Sequence, residues 1–277
     1  MEVHKRFHVA PIHDVPEERT LSPDVVFALK RATLMLPQIP STNLDNWRDL
    51  HNSSQDRIFS GELEKFKNCF DDPLTVAYRE YHLGVAGPRK SKTDTEISFF
   101  PKMLSIVDGI DAQKSVRYLI PLLEDVSSSV LGRKSSIRAK PIFIAKDWYG
   151  RSVQFPDHHS IRPQLQLICD LLVYSKASTV YKAVACYILL VGAHPFLDGN
   201  GRVSRMLFNA ILVSGGLHPS AYIPLKEILD ITQGSLAIRT RRVLMRGDWV
   251  PIFEGLSSAI MFASTVNRLA SNGAGYR

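Results

Sequence analysis

A chain of 277 residues can bury a full core as one large domain, or as a domain with a smaller appendage, without disulfide staples. Its 45% hydrophobic and 22% charged content is that of an ordinary soluble globular protein. The three cysteines, Cys69, Cys169 and Cys186, are odd in number and form no CxxC pair, which excludes a disulfide framework and a structural zinc site.

The N-terminus mixes charged and apolar residues and lacks the apolar stretch of a secretory signal. Runs such as AVACYILLVGA are too short to span a bilayer, so no membrane association is expected. The expected location is the cytoplasm, or export as an effector by a signal the sequence does not display. The net charge of +7 gathers in GRKSSIRAKPIFIAK and RTRRVLMR. Such patches suit nucleotide phosphates, nucleic acid or an acidic protein surface, and equally a plain solvated face.

Residues 1 to about 45 carry Pro11, Pro16, Pro23, Pro37 and Pro40 and read as an extended arm with one short helix near Val25–Leu36. Helical spacing starts in LDNWRDLHNSSQDRIFSGELEKFKNCF and breaks at HLGVAGPRKSKTDTE, where glycines, proline and charges cluster. It returns at FPKMLSIVDGI and AQKSVRYLIPLLEDVSSSVLG. KPIFIAKDWYGRSVQF then alternates, turns at DWYG and alternates again, as a β-hairpin does. RPQLQLICDLLVYS, STVYKAVACYILLVG and RVSRMLFNAILVSGG follow as strongly apolar helices, the last stopping at Gly215–Gly216. The helical pattern continues through LKEILDITQGSLAIRTRRVLMRG and WVPIFEGLSSAIMFASTVNRLA. The fold class is therefore mostly α, a helical bundle with one hairpin. The expected division is an N-terminal arm with helices (1–99), a catalytic domain (100–265) and a tail (266–277).

The densest chemistry lies in HPFLDGNGRVSR, from His194 to Arg205. Pro195 disfavours continuation of the preceding helix, and a new helix starts near Arg202, so the stretch is a loop ending at a helix N-terminus. There the backbone N–H groups lack intrahelical partners and the helix dipole favours an anion. Gly199 and Gly201 permit positive φ and close approach of a phosphate. Arg202 and Arg205, three apart on the helix, can both fork onto phosphate oxygens. Asp198 is a candidate Mg²⁺ ligand, and His194 a candidate base for an attacking hydroxyl.

The same twelve residues resemble the signature of the Fic (Fido) family, His-x-Phe-x-Asp/Glu-Gly-Asn-Gly-Arg-x-x-Arg. His194, Phe196, Asp198, Gly199, Asn200, Gly201, Arg202 and Arg205 meet every defined position. A hairpin lies upstream, where that family has its flap. The resemblance extends over about 100–265 and implies an all-α Fic fold apart from the flap. It implies transfer of AMP from ATP to a Tyr, Thr or Ser hydroxyl of a target protein, with release of pyrophosphate. His194 would deprotonate the hydroxyl and Asp198 would hold Mg²⁺. Gly199, Asn200 and Gly201 would form the anion loop, Arg202 and Arg205 would grip the β- and γ-phosphates, and Phe196 would anchor the loop in the core. Ile142, Phe143 and Ile144 of the flap would hold the target as an added strand.

Many members are inhibited by a helix of pattern Ser/Thr-x-x-x-Glu-Gly/Asn whose glutamate pairs with the second motif arginine. SGELEK fits from Ser60 to Glu64 and then departs, with Lys65 where Gly or Asn is expected. Besides the target, a homo-oligomer and an antitoxin-like protein are the other expected partners; nucleic acid is not expected. The rivals are a different transfer on the same scaffold (UMP, phosphate or phosphocholine) and a silent nucleotide-binding regulatory module.

Overall fold

The computed structural model describes residues 6–39, 57–68, 93–113, 115–144, 152–232 and 234–273. Among them are ten α-helices and three short strands. Two helices form the centre. α6 (Thr179–Ala193) is apolar all round and buried on nearly every side, as expected of a helix in the middle of a bundle. α7 (Asn200–Ser214) packs along it, burying Val203, Met206, Leu207, Phe208, Ala210, Ile211 and Leu212. Around this pair lie α3 (Thr93–Gln113) against α7, α4 (Val116–Leu131) against α3, and α5 (Ile161–Tyr174) against α6. α8 (Leu225–Ile231) and α9 (Ser235–Arg246) lead to α10 (Val250–Gly273). α1 (Pro23–Met35) packs on α10, and α2 (Arg57–Asn68) joins them with Phe66 stacked on Phe262, ring centroids 4.1 Å apart. No helix among the described residues is long and apolar enough to cross a membrane.

The chain marks most of these ends locally. Ser115 and Ser178 cap α4 and α6 through their hydroxyls, and Gly132 closes α4 in the left-handed region. α7 stops at Ser214, just before Gly215–Gly216. Gly234, at φ 87°, separates α8 from α9 within what reads as one helical stretch. Cys169 and Cys186 are buried core residues, and burial raises both thiol pKa values, that of Cys169 to about 11. Cys69 lies outside the described residues.

Two features differ from the sequence reading. α3 starts at Thr93, seven residues before FPKMLSIVDGI, and carries Pro101 inside it. Its first turn is anchored by tertiary bonds: Thr93 donates to Glu227 (2.9 Å), and Glu96 is fully buried. The helix therefore runs continuously through the expected boundary at residue 99. The arm also adds a strand. β1 (Arg6–His8) pairs in parallel with β3 (Ser152–Gln154), which pairs antiparallel with β2 (Phe143–Ile144), giving the order β1-β3-β2. The DWYG turn between β2 and β3 lies outside the described residues.

Behind β1 the arm is bonded to the core. Glu18 accepts from the Ser178 N–H (2.7 Å) and hydroxyl (2.5 Å) at the start of α6, and Tyr181 donates to the Pro16 carbonyl. Glu18→Ala should cost about 2 kcal/mol in urea unfolding, the scale of hydrogen bonds to a charged group. It should also open the chain before residue 18 to limited proteolysis. Unchanged stability and proteolysis would show that the arm is not held there.

Candidate active site

α6 ends at His194, whose backbone is left-handed (φ 46°), the sole non-glycine residue with positive φ among those described. That conformation costs a β-carbon-bearing residue about 1–2 kcal/mol, and such strain persists only where the surroundings enforce it. They do so here. Phe196 is fully buried, and Asn200 closes the loop around it: Phe196 N–H donates to Asn200 Oδ1 (2.8 Å), and Asn200 Nδ2 donates to the Phe196 carbonyl (2.7 Å). Gly199 turns the chain at φ 83° into α7. The Asn200 side chain is thus spent on bracing the loop, and its part in an anion cradle is confined to its backbone.

The His194 ring stacks on Phe155, two residues after β3's Val153, with centroids 3.7 Å apart. Its Nδ1 lies 3.2 Å from the Val191 carbonyl, which can only accept. Nδ1 therefore carries the proton and Nε2 keeps its lone pair. Burial, with the Arg138 cation adding to it against the Val191 bond, brings the His194 pKa down to about 4. The ring is neutral at neutral pH, in the form a base requires.

Gly199 offers no side-chain cap to α7, so the first-turn N–H groups are left for an external acceptor. Arg202 stands over this end, donating from Nη1 to the Val130 carbonyl (3.1 Å), with Nη2 3.8 Å from Asp198 Oδ2. Arg133, just beyond α4, is 3.8 Å from the same oxygen. Asp198 uses Oδ1 on the Gly199 N–H (2.6 Å), and its side chain is 57% exposed. An exposed hard oxygen beside an anion site fits Mg²⁺, which takes one or two carboxylates and completes its shell with phosphates and water.

Arg205 is engaged from the core side. Its Nε lies 3.1 and 3.2 Å from the two oxygens of Glu96, its Nη2 also bonds Glu96, and Tyr222 donates its hydroxyl to Glu96 at 2.8 Å. Burial alone would lower the Arg205 pKa; the charge and hydrogen bonds of Glu96 outweigh it and raise it. Nη1 is turned the other way: a β-carbon on Gly201 would sit 3.2 Å from it. Glycine at 201 keeps that edge of the guanidinium close to the loop.

The other expected site residues are dispersed. Ile142 is half-buried and Phe143 43% exposed at the root of the flap; for Ile144 only the strand is described. Ser60 lies on α2, as does Glu64, which is exposed, and the carboxylate on Arg205 is that of Glu96. Nothing in the sequence pattern distinguishes Glu96, Arg133 or Arg138 from surface charges. The charges of the two basic stretches are partly internal: Arg138 and Arg239 are buried, Arg239 donating to the Pro251 carbonyl (2.7 Å), and Arg242 pairs with Asp248.

Residues 122–212 match the family model described as Fic/DOC family. "Protein adenylyltransferase Fic" of Nematostella vectensis is 24% identical over 209 residues, covering 74% of this chain and 48% of that protein. A namesake from Drosophila grimshawi is 49% identical over 47 residues, 17% of this chain and 9% of its own. The chain thus spans about half or less of the curated relatives it matches. A Fic family protein from Desulfovibrio desulfuricans G20 shares the fold, with a TM-score of 0.53 at 13% identity over 95% of this chain and 78% of its own.

The buried neutral ring gives stability a pH dependence of definite sign. The unfolded chain protonates His194 near 6.5 and the folded protein near 4. Stability is unaffected above about 6.5 and falls as pH drops toward 4, by about 3 kcal/mol in total. His194→Asn, tolerated in the left-handed region, should remove that slope from urea midpoints compared at about pH 7 and about pH 4.5. An identical slope in both proteins would contradict a buried neutral ring.

Proposed function

Because residues 122–212 match the Fic/DOC family model, we propose that this chain moves AMP from ATP to a Tyr, Thr or Ser hydroxyl of a target protein and releases pyrophosphate. The observation that carries the reading is the junction at 194–205: a neutral imidazole with its Nε2 lone pair free, six residues before an uncapped helix N-terminus flanked by two arginines. The activity for which the relatives are named supports the choice of AMP.

In this reading the triphosphate lies against the first turn of α7, where the N–H groups and the helix dipole receive its charge. Arg202 and Nη1 of Arg205 supply forked donors. Mg²⁺ held on Asp198 would supply positive charge beside the α- and β-phosphates. The acceptor oxygen attacks the α-phosphorus and its proton passes to His194 Nε2. The bond from that phosphorus to the β-bridging oxygen breaks, and pyrophosphate leaves with the oxygen. The residues thus contribute positioning, charge and one base, which is most of what such transfer requires.

Glu96 is the carboxylate that competes with the nucleotide for Arg205. It neutralises the guanidinium from the side opposite Gly201, so the phosphates meet one fewer net positive charge. Glu96→Gln keeps the shape and the Tyr222 contact but restores that charge. It should tighten ATP–Mg²⁺ binding about tenfold, the scale of about 1.4 kcal/mol for a charge-assisted bond. It should also lower the melting temperature, since a buried cation loses its partner. Glu64→Gly should leave nucleotide affinity unchanged. Tighter binding in the Glu64 variant, with none in the Glu96 variant, would reverse the assignment.

The direct test is intact mass after incubation with ATP and Mg²⁺, alone and with a cell lysate, for wild type and His194→Ala. A gain of one AMP that disappears in His194→Ala is expected. A gain of one phosphate would favour the phosphate-transferring rival. No modified protein of either kind would favour the silent binding module.

A further inference from the structure

Arg138 lies between α4 and β2, in a stretch whose charges read as solvated, yet it is only 3% exposed. Its guanidinium donates to four backbone carbonyls. Nε reaches His194 (2.7 Å), Nη2 reaches Ala193 (3.2 Å) and Pro156 (2.6 Å), and Nη1 reaches Lys140 (3.0 Å). Its own N–H donates to the Pro195 carbonyl at 2.8 Å. One side chain therefore joins the last turn of α6, the left-handed His194, the chain entering β2 and the chain leaving β3.

Stability alone is a poor reason for this arrangement. The described hydrogen bonds of the guanidinium are all to neutral carbonyls, and burying a charge on neutral partners is unfavourable against an apolar side chain of similar volume. Burial lowers the Arg138 pKa, with Asp157 nearby opposing. What the guanidinium offers is geometry: five N–H donors in a rigid plane can tie three segments at once, which a lysine ammonium on a flexible stem cannot. It also meets the Ala193 and His194 carbonyls at the C-terminus of α6, where a cation is favoured.

We propose that Arg138 is a positioning residue of the active site, fixing the His194 backbone against both roots of the flap so that base and docked acceptor keep one separation. This rests on His194 as the base and the hairpin as the docking strand. The strained φ of His194 supplies the need: its carbonyl is held in place by Arg138 Nε. Binding of the triphosphate does not involve these bonds, so loss of Arg138 acts on turnover rather than on the nucleotide.

Two variants separate the parts. Arg138→Lys keeps the charge and loses the span; Arg138→Gln loses the charge and keeps some donors. Both should lower kcat for transfer at least tenfold with the KM for ATP within about twofold of wild type. Among the described residues, the groups facing His194 are the Arg138 cation, the Phe155 ring and the Val191 carbonyl, with Asp157 acting on Arg138. Removing the cation should therefore raise the His194 titration midpoint, read from its ring ¹H–¹³C signals, in Arg138→Gln and leave it in place in Arg138→Lys.

Full turnover in Arg138→Lys would overturn the proposal, as would kcat and KM worsening together in both variants, or no movement of the His194 midpoint in Arg138→Gln. A wild type that transfers nothing would instead count against the proposed function. The ring titration would still report whether Arg138 acts on His194, with no shift in Arg138→Gln overturning the proposal on its own. Should Arg138→Gln fail to fold, the kcat and KM of Arg138→Lys decide.

Discussion

Two helices buried on nearly all sides must be joined within six residues, and the rest of the site depends on how that turn is made. α6 and α7 cannot separate without exposing the core, so the loop between them has almost no freedom. It is closed by the reciprocal pair of bonds between Asn200 and Phe196, with the Phe196 ring fully buried. The two ends of the loop take left-handed backbone, Gly199 at no steric cost and His194 at some cost. An imidazole and a helix N-terminus are thereby fixed relative to each other by packing rather than by flexible contacts, the preorganisation that the proposed transfer requires.

The flap is attached to this turn, not merely near it. Phe155 continues from β3 to stack on His194, and Arg138 bonds the carbonyls on both sides of the hairpin. The arm closes the other edge of β3 with a parallel strand, and Glu18 returns to cap the start of α6. Elements from far apart in sequence thus converge on the two ends of one helix. The charges are graded across the site: Arg133 and Arg202 approach Asp198, the Nη1 edge of Arg205 lies beside Gly201, and Glu96, itself bonded by Tyr222, holds Arg205 from the core.

What is legible in the sequence is what is encoded locally. Apolar periodicity marks α5, α6 and α7, Gly215–Gly216 ends α7, and alternation marks the flap strands. HPFLDGNGRVSR carries its chemistry in neighbouring residues, so its groups can be named from the order of residues alone. Long-range pairing has no such mark. Glu96 lies 109 positions from Arg205, and it falls at the end of the run of glycine, proline and charge that reads as a loop. Arg138 reads as one charge in a basic run because nothing local says that its guanidinium turns inward. The start of α3 is hidden because glycine, proline and charge just before it argue for a loop, and the bonds that hold its first turn come from Glu227 and Arg205.

The central claim is that the N-terminus of α7 is the nucleotide site, with His194 facing the reacting phosphorus. The measurement that tests it most directly is a crystal structure with a non-hydrolysable ATP analogue and Mg²⁺. Phosphate oxygens are expected against the N–H groups of Gly201 and Arg202, with Arg205 Nη1 within reach and His194 Nε2 directed at the α-phosphate. A nucleotide bound elsewhere, for instance in the cavity of about 440 Å³ lined by Glu124, Arg138, His158 and Arg162, with the first turn of α7 left bare, would contradict it.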